Sequence, residues 1–491
     1  MIEKPYYPII YVRGYAMTMG AVEDTVATPY MGFNLGSTKF RQTFKGEPEQ
    51  YIFESPFIRL LKDHQYSDAY HNGQAVPEGP VSSRSVWIFR YYDYASKSFG
   101  TGGKHEIIYY AEKLRDFILH IRDAVCENDL DKQNFSVYLI AHSMGGLVCR
   151  AYLQNPEIPG LDGEEPGHGD NKGVDKFFTY ATPHRGIDFR KGLGVLDILS
   201  QTFDPYNSGN FEPKIMRKYL GLPNNAELNS LNGQFEPEKA YNLIGTNPSD
   251  YNMVKSVIGP KSDGLVQIDN AYVKGAPRAF VYRSHSGHYG IVNSESGYQN
   301  LERFLFGDLR ASVAMKLNSI DLPDIYPGKL SAVYNIENSV SVRGLPVVLN
   351  KRTKDTFSAE TVSHGDLTKS ERHLFTAFLD TKAVVGENDS AVRYSIHFRI
   401  VPMYHIDKKL ARDLHFEGQA LFDDRLILGI AAGDDGSIQV KYAWQKESME
   451  PDKNLDFTEN NGIFTASLPF SGLSTLNVEG TLNIGVSRWN V

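Results

Sequence analysis

"FSVYLIAHSMGGLVCRAYL", residues 135–153, is the stretch whose reading decides the fold. It opens as a short run rich in aromatic and β-branched residues, the pattern of a strand buried on both faces. It closes as a helical pattern. Between the two stand Ala141, His142, Ser143, Met144, Gly145 and Gly146. The residues two before and two after Ser143 carry almost no side chain, which lets a strand and a helix pass close together at a sharp turn. Either strand and helix merely turn tightly and the serine is incidental, or the turn exists to present the Ser143 hydroxyl. The partners available elsewhere in the chain decide between these.

A serine hydroxyl is a poor nucleophile unless a base takes its proton and a buried acid orients that base. On a strand–turn–helix scaffold the expected chain order is serine, acid, histidine. For the acid, "GPKSDGLVQIDNAYV" (259–273) places Asp263 in a Ser-Asp-Gly turn before the last strand, and Asp250, soon after the strand at 240–245, is the rival. An Asp-Gly pair also occurs in plain turns. For the base, "HSGHYGIVNSESG" (285–297) offers His285 and His288. The reading favours His288, which stands where the loop has left the strand, whereas His285 still reads as strand end. A metal held by this histidine pair is the weaker reading of the spacing. An oxyanion hole needs backbone N–H donors at the site. Met144, immediately after the nucleophile, supplies one. "IIYVRGYAMT" (9–18) supplies the other, Gly14 permitting the turn and Tyr15 giving the N–H, unless Arg13-Gly14 is an ordinary loop opening.

With these residues assembled, the chain resembles the α/β-hydrolase superfamily, and within it the lipases and esterases. Ala-His-Ser-Met-Gly-Gly at 141–146 resembles the nucleophile elbow of small bacterial lipases, alanine included. Gly287-His288-Tyr289-Gly290-Ile291-Val292 is similar to the catalytic-histidine loop of the same enzymes, and Ser262-Asp263-Gly264-Leu265-Val266 to the catalytic-aspartate loop of larger bacterial lipases. Thr182-Pro183-His184-Arg185-Gly186 resembles a loop of lipases and glycolipid inositol deacylases, in which His184 would brace the loop. "RYYDY" (90–94) is a fainter echo of phospholipid acyl hydrolases. The resemblance spans about residues 5–308 and departs in two places: Arg13-Gly14 stands where these lipases usually have His-Gly, and the strand that should be third lies nearly at the N-terminus, as in minimal lipases that lack the first two strands of larger members.

Around these motifs, "PIIYV" (8–12), "RSVWIFRYY" (84–92), "VDKFFTY" (174–180), "AYNLIGTN" (240–247) and "AFVYRS" (279–284) read as further strands. The segment 106–125 puts Ile107, Tyr110, Leu114, Ile118, Ile121 and Val125 on one face of a helix. Strands alternating with helical patterns imply a mostly parallel sheet flanked by helices, whose ligands bind beyond the carboxyl ends of the strands. After about residue 312 the pattern changes to alternation, as in "VRYSIHFRIV" (392–401), with turn signals between runs. The expectation is an α/β-hydrolase catalytic domain over 1–310 and a C-terminal all-β, sandwich-like domain over 311–491. Within the first, the segment 187–236 lies where lipases carry a lid. Its Leu193, Leu196, Ile198 and Leu199 read equally as pocket cover or as core. The long aromatic insertion 16–83 is expected to shape the acyl or alcohol site.

Composition narrows the function classes. Of 491 residues, 41% are hydrophobic and 22% charged, a globular composition. A net charge of -8 disfavours a nucleic-acid partner, because no basic surface is gathered to neutralise phosphates. The two cysteines, Cys126 and Cys149, build no disulfide framework. The opening "MIEKPYYPIIYVRGYA" lacks the run of about 7–15 apolar residues of a signal peptide, and no run approaches the ~18 of a membrane span. The expected location is cytoplasmic, with leaderless export as the alternative. The expected reaction is hydrolysis of carboxylic esters, the resemblance implying lipid or acyl esters, through an acyl-enzyme on Ser143, with Asp263 and His288 completing the triad and no cofactor required. The expected partner is an ester or lipid substrate, with peripheral membrane contact compatible with it and the β-domain's partner unknown. An acyltransferase or amidase with the same triad, a leaderless phospholipase effector, and a silent binding protein acting through the β-domain stand as alternatives.

Overall fold

Seven short strands form the sheet that carries the elbow: β1 (Ile9–Val12), β2 (Ser67–Asp68), β3 (Ser85–Ile88), β4 (Val137–His142), β5 (Val174–Tyr180), β6 (Ala240–Gly245) and β7 (Arg278–Val281). Their order is β7-β6-β5-β4-β1-β3-β2. The pairings from β2 through to β6 are all parallel. Every residue of β1, β3 and β6 is buried, and so is β4 up to Ala141. Continuous apolar runs of this kind are what a parallel sheet covered on both faces requires. The computed structural model describes residues 5–14, 19–42, 46–71, 74–75, 81–98, 100, 105–161, 172–187, 209–249, 258–287, 290–325, 330–345, 347–369, 371–381, 391–406, 414–432, 437–472 and 476–490. Most of the segment read as lid or core, including Leu193, Leu196, Ile198 and Leu199, lies outside the described residues.

Among the helices are α1 (Ile107–Val125), α2 (Met144–Gln154), which carries the elbow, and α3 (Glu295–Phe306). The buried face of α1 is the one its three-and-four spacing predicts, with Ala111 added. Helix α2 is buried on every side, and its one charged residue, Arg150, is fully enclosed. Burying a guanidinium is costly unless its donors are used. Arg150 donates to the Gln154 side chain and to the carbonyls of His184, Leu228 and Ser230, so it ties α2 to two loops. Both cysteines are free; Cys149 is buried in α2, and Cys126 caps the end of α1.

By its packing the chain divides into two units, residues 1–278 with 283–301, and residues 279–282 with 302–491. The second contains two antiparallel sheets. One runs Arg372–Leu379, Leu309–Ile320, Val478–Arg488, Ile463–Ser471, Thr458–Asn460. The other is built on Leu330–Val342, Val392–Ile406 and Phe422–Ala432. Burial alternates along the strands, and the inward residues meet in one core: Val313, Met315 and Ile484 from the first sheet, Tyr334, Ile336 and Phe398 from the second. That is a sandwich. A parallel α/β sheet followed by an all-β sandwich is the fold class the sequence predicts.

Candidate active site

The strand-to-helix turn is as sharp as the small residues imply. Strand β4 ends at His142 and α2 begins at Met144, leaving Ser143 alone between them with φ 54° and ψ -128°. A side chain in that region costs about 1–3 kcal/mol and persists where the surroundings over-determine it. They do here. The Ser143 N–H donates to the Tyr180 carbonyl at 2.9 Å. A Cβ on Gly145 would stand 2.4 Å from the Val12 carbonyl oxygen and 2.5 Å from that of Arg13, so no side chain fits where α2 crosses the loop after β1. Ala141 is fully buried and paired with Val12 and Thr179, which explains a small residue at that end of the elbow.

Asp263 and a histidine meet this serine, and the histidine is His285. Its Nε2 lies 2.9 Å from Ser143 Oγ and its Nδ1 2.9 Å from Asp263 Oδ2. An ionised carboxylate only accepts, so Nδ1 donates to Asp263 and Nε2 is left to accept the serine proton. Asp263 is itself held: Oδ1 accepts from the Leu265 and Val266 N–H groups at 2.9 and 2.7 Å, and the Asp263 carbonyl accepts from the His285 N–H at 3.0 Å. Gly245, at the end of β6, makes room for the acid, since a Cβ there would lie 2.8 Å from that of Asp263. Ser143, His285 and Asp263 are 7%, 3% and 1% exposed, which strengthens the hydrogen bonds that join them.

The expectation of His288 is thus replaced by His285. The physical reason is where the strand ends. Strand β7 stops at Val281, and the chain is already in its loop at Ser284, which bridges to Gly290. His285 therefore lies on the loop and not at the strand end. His288 lies outside the described residues, as do Asp250 and Tyr15. Met144 is buried and is the first residue of α2, a position whose N–H has no partner within the helix.

Several supporting residues lie in motifs the sequence names, but their contacts are not readable from it. His142 is half-buried at the cavity wall, and its Nε2 donates to the His285 carbonyl at 2.9 Å. Burial pushes its pKa well below the ordinary histidine value, and the neighbouring His285 and Arg13 add to that, so it is a neutral donor. The loop after β1 is held from above by two tyrosines of "RYYDY": Tyr91 donates to the Arg13 carbonyl at 2.8 Å and Tyr92 to that of Gly14 at 2.5 Å. Arg90 of the same stretch pairs with Asp93 and donates to the carbonyls of Val26, Thr28 and Pro29. His184 does not meet Ser143; its Nε2 bonds Thr179 Oγ1 at 3.2 Å and its carbonyl accepts from Arg150. A signal for the tyrosines existed, since two adjacent aromatics after a buried strand must place their hydroxyls somewhere.

Beside the triad lies a cavity of about 260 Å³, lined by Met31, Phe33, Leu35 and Val292 and by the polar Arg13 and His142. Among the described residues no group of three or more His, Cys, Asp or Glu side chains is placed to hold a metal ion, and no helix is long and apolar enough to cross a membrane.

No family model matches the chain, and no curated protein matches it. Solved structures do align. Phospholipase PlaB from Legionella pneumophila is 11% identical, over 84% of this chain and 90% of that one, with a TM-score of 0.33. Phospholipase PlaB in complex with thio-NAD is 11% identical, over 84% and 89%, with a TM-score of 0.30. A chain of the Tle4–Tli4 complex is 16% identical, over 37% of this chain and 46% of that one, with a TM-score of 0.19.

Proposed function

We propose that this protein hydrolyses carboxylic esters with acyl or lipid character through an acyl-enzyme on Ser143. One observation carries the reading: the unbroken line of hydrogen bonds from Ser143 Oγ through His285 to Asp263, each 2.9 Å long, at a strained strand-to-helix turn. As Oγ attacks the ester carbonyl carbon, His285 Nε2 takes its proton, and Asp263 stabilises the imidazolium without being protonated. The carbonyl oxygen becomes an oxyanion, for which the Met144 N–H is one donor and the Tyr15 N–H is assigned as the second. Collapse breaks the bond to the alcohol, which leaves with the proton held by His285. Water then gives His285 its proton and attacks the acyl-enzyme, and the acid departs as Ser143 recovers its hydrogen. The apolar wall of Met31, Phe33, Leu35 and Val292 beside the triad supports an acyl substrate.

The test is Ser143→Ala. Turnover of p-nitrophenyl acyl esters is expected to vanish while the circular dichroism spectrum is unchanged, and a fluorophosphonate probe is expected to label the parent protein at Ser143 alone. Undiminished turnover in the variant would overturn the proposal.

A further inference from the structure

Arg13 stands where an apolar acyl site has no use for a charge. Its backbone is fixed against the nucleophile's turn, its carbonyl accepting from Tyr91 at 2.8 Å and lying 2.5 Å from where a Cβ on Gly145 would be. Its guanidinium is folded into the cavity wall: Nη1 donates to the Met31 carbonyl and lies 2.8 Å from where a Cβ on Gly32 would be. That bond uses one of five N–H donors and none of the charge. Among the described residues no carboxylate pairs with Arg13. A cation set against apolar surface without a counter-ion is costly, and a guanidinium fork matches the geometry of a carboxylate or phosphate. A second group in the lining is also left with capacity. Asn293 donates through Nδ2 to the Gly32 carbonyl at 3.1 Å, which fixes the amide, while its buried Oδ1 has no partner among the described residues.

We propose that this cavity binds an anionic group of the ester substrate, phosphate or carboxylate, on the Arg13 guanidinium. The inference rests on the hydrolase reading and names its substrate class: acyl esters with a negative charge near the scissile bond, in preference to neutral ones.

The experiment compares three esters sharing one acyl chain: a 1-acylglycerol, the corresponding 1-acylglycerol 3-phosphate, and the acyl ester of glycolic acid. Rates are taken at one ionic strength, about 0.15 M, so that bulk screening is constant. The parent enzyme is expected to favour at least one anionic ester in kcat/KM by roughly 10- to 100-fold, the range of one charged hydrogen-bonded contact. Preference for the phosphate alone, or for the carboxylate alone, identifies which anion the site takes. Arg13→Gln is expected to bring the ratio near one and Arg13→Lys to keep part of it. A parent ratio near one, or an unchanged ratio in Arg13→Gln, overturns the inference. Because Arg13 also holds Met31, a measurement on the parent protein stands beside these: glycerol 3-phosphate or glycolate is expected to slow fluorophosphonate labelling of Ser143, and glycerol is not. Absence of protection by both anions overturns the inference irrespective of how the variants fold. If Ser143 labels and neutral esters turn over without charge preference, this inference alone fails; if Ser143→Ala keeps full turnover, the hydrolase reading fails with it.

Discussion

At the scale of single residues, the site turns on which histidine leaves the last strand in time. Ser143 and Asp263 stand out because each pattern suits its role, a serine between Ala141 and Gly145 and an aspartate in a Ser-Asp-Gly turn, although both patterns also occur in plain turns and only their combination in chain order points to a site. His285 was harder to read, since nothing local in "FVYRSHSGH" says where the ladder stops. That is fixed by the distant pairing of β7 and by the Ser284–Gly290 bridge. The consequence is measurable. His285→Ala is expected to lower kcat for an acyl ester by about 10⁶-fold, and Asp263→Asn by about 10⁴-fold, the pattern of residues acting as one unit. His288→Ala is expected to stay within a few-fold of the parent. Steady-state rates on one p-nitrophenyl ester decide it, and the reverse order for the two histidines would restore His288 as the base.

At the scale of elements, the elbow and the loop after β1 form one machine part. Helix α1 was readable from its three-and-four spacing alone, because an amphipathic helix writes its buried face into the sequence. The role of "RYYDY" was not, because hydrogen bonds from Tyr91 and Tyr92 to carbonyls nearly eighty residues earlier leave no periodic trace. Two substitutions separate packing from positioning. Gly145→Ala drives a methyl group into the carbonyls of Val12 and Arg13, and is expected to destabilise the fold by about 1–3 kcal/mol in urea titration. Tyr92→Phe leaves the buried Gly14 carbonyl without its donor, a loss of about 1–3 kcal/mol. If that loop supplies an oxyanion donor, Tyr92→Phe lowers kcat roughly tenfold with KM unchanged, since the donor acts on the transition state. A change confined to KM would place the loop in ground-state binding instead.

At the scale of the whole molecule, the sequence divided cleanly into an alternating strand–helix half and an alternating polar–apolar half because buried parallel strands and half-exposed sandwich strands carry different periods. What no period reveals is the set of groups the fold buries in one charge state. In the α/β unit, His184 is fully buried and His142 is half-buried beside His285, and desolvation drives the pKa of each well below the ordinary value of 6.5. The unfolded chain therefore binds a proton at each position as pH falls through about 6.5, while the folded chain does not. The stability they contribute is complete above that value and is lost as pH falls from it towards the folded pKa. Each histidine then removes about 1.4 kcal/mol per pH unit. Urea unfolding followed by Trp87 emission, with Trp444 and Trp489 replaced by phenylalanine, reports the α/β unit by itself. The midpoint is expected to decline gently from pH 8 to about 7, where Lys176, its pKa pulled down to about 7 by burial, binds its proton less readily in the folded chain than in the unfolded one, and to fall steeply between about 6 and 5. His184→Gln is expected to halve that slope, and adding His142→Gln to remove most of what is left. A midpoint equally steep in the double variant would assign the acid lability to the carboxylates of the unit.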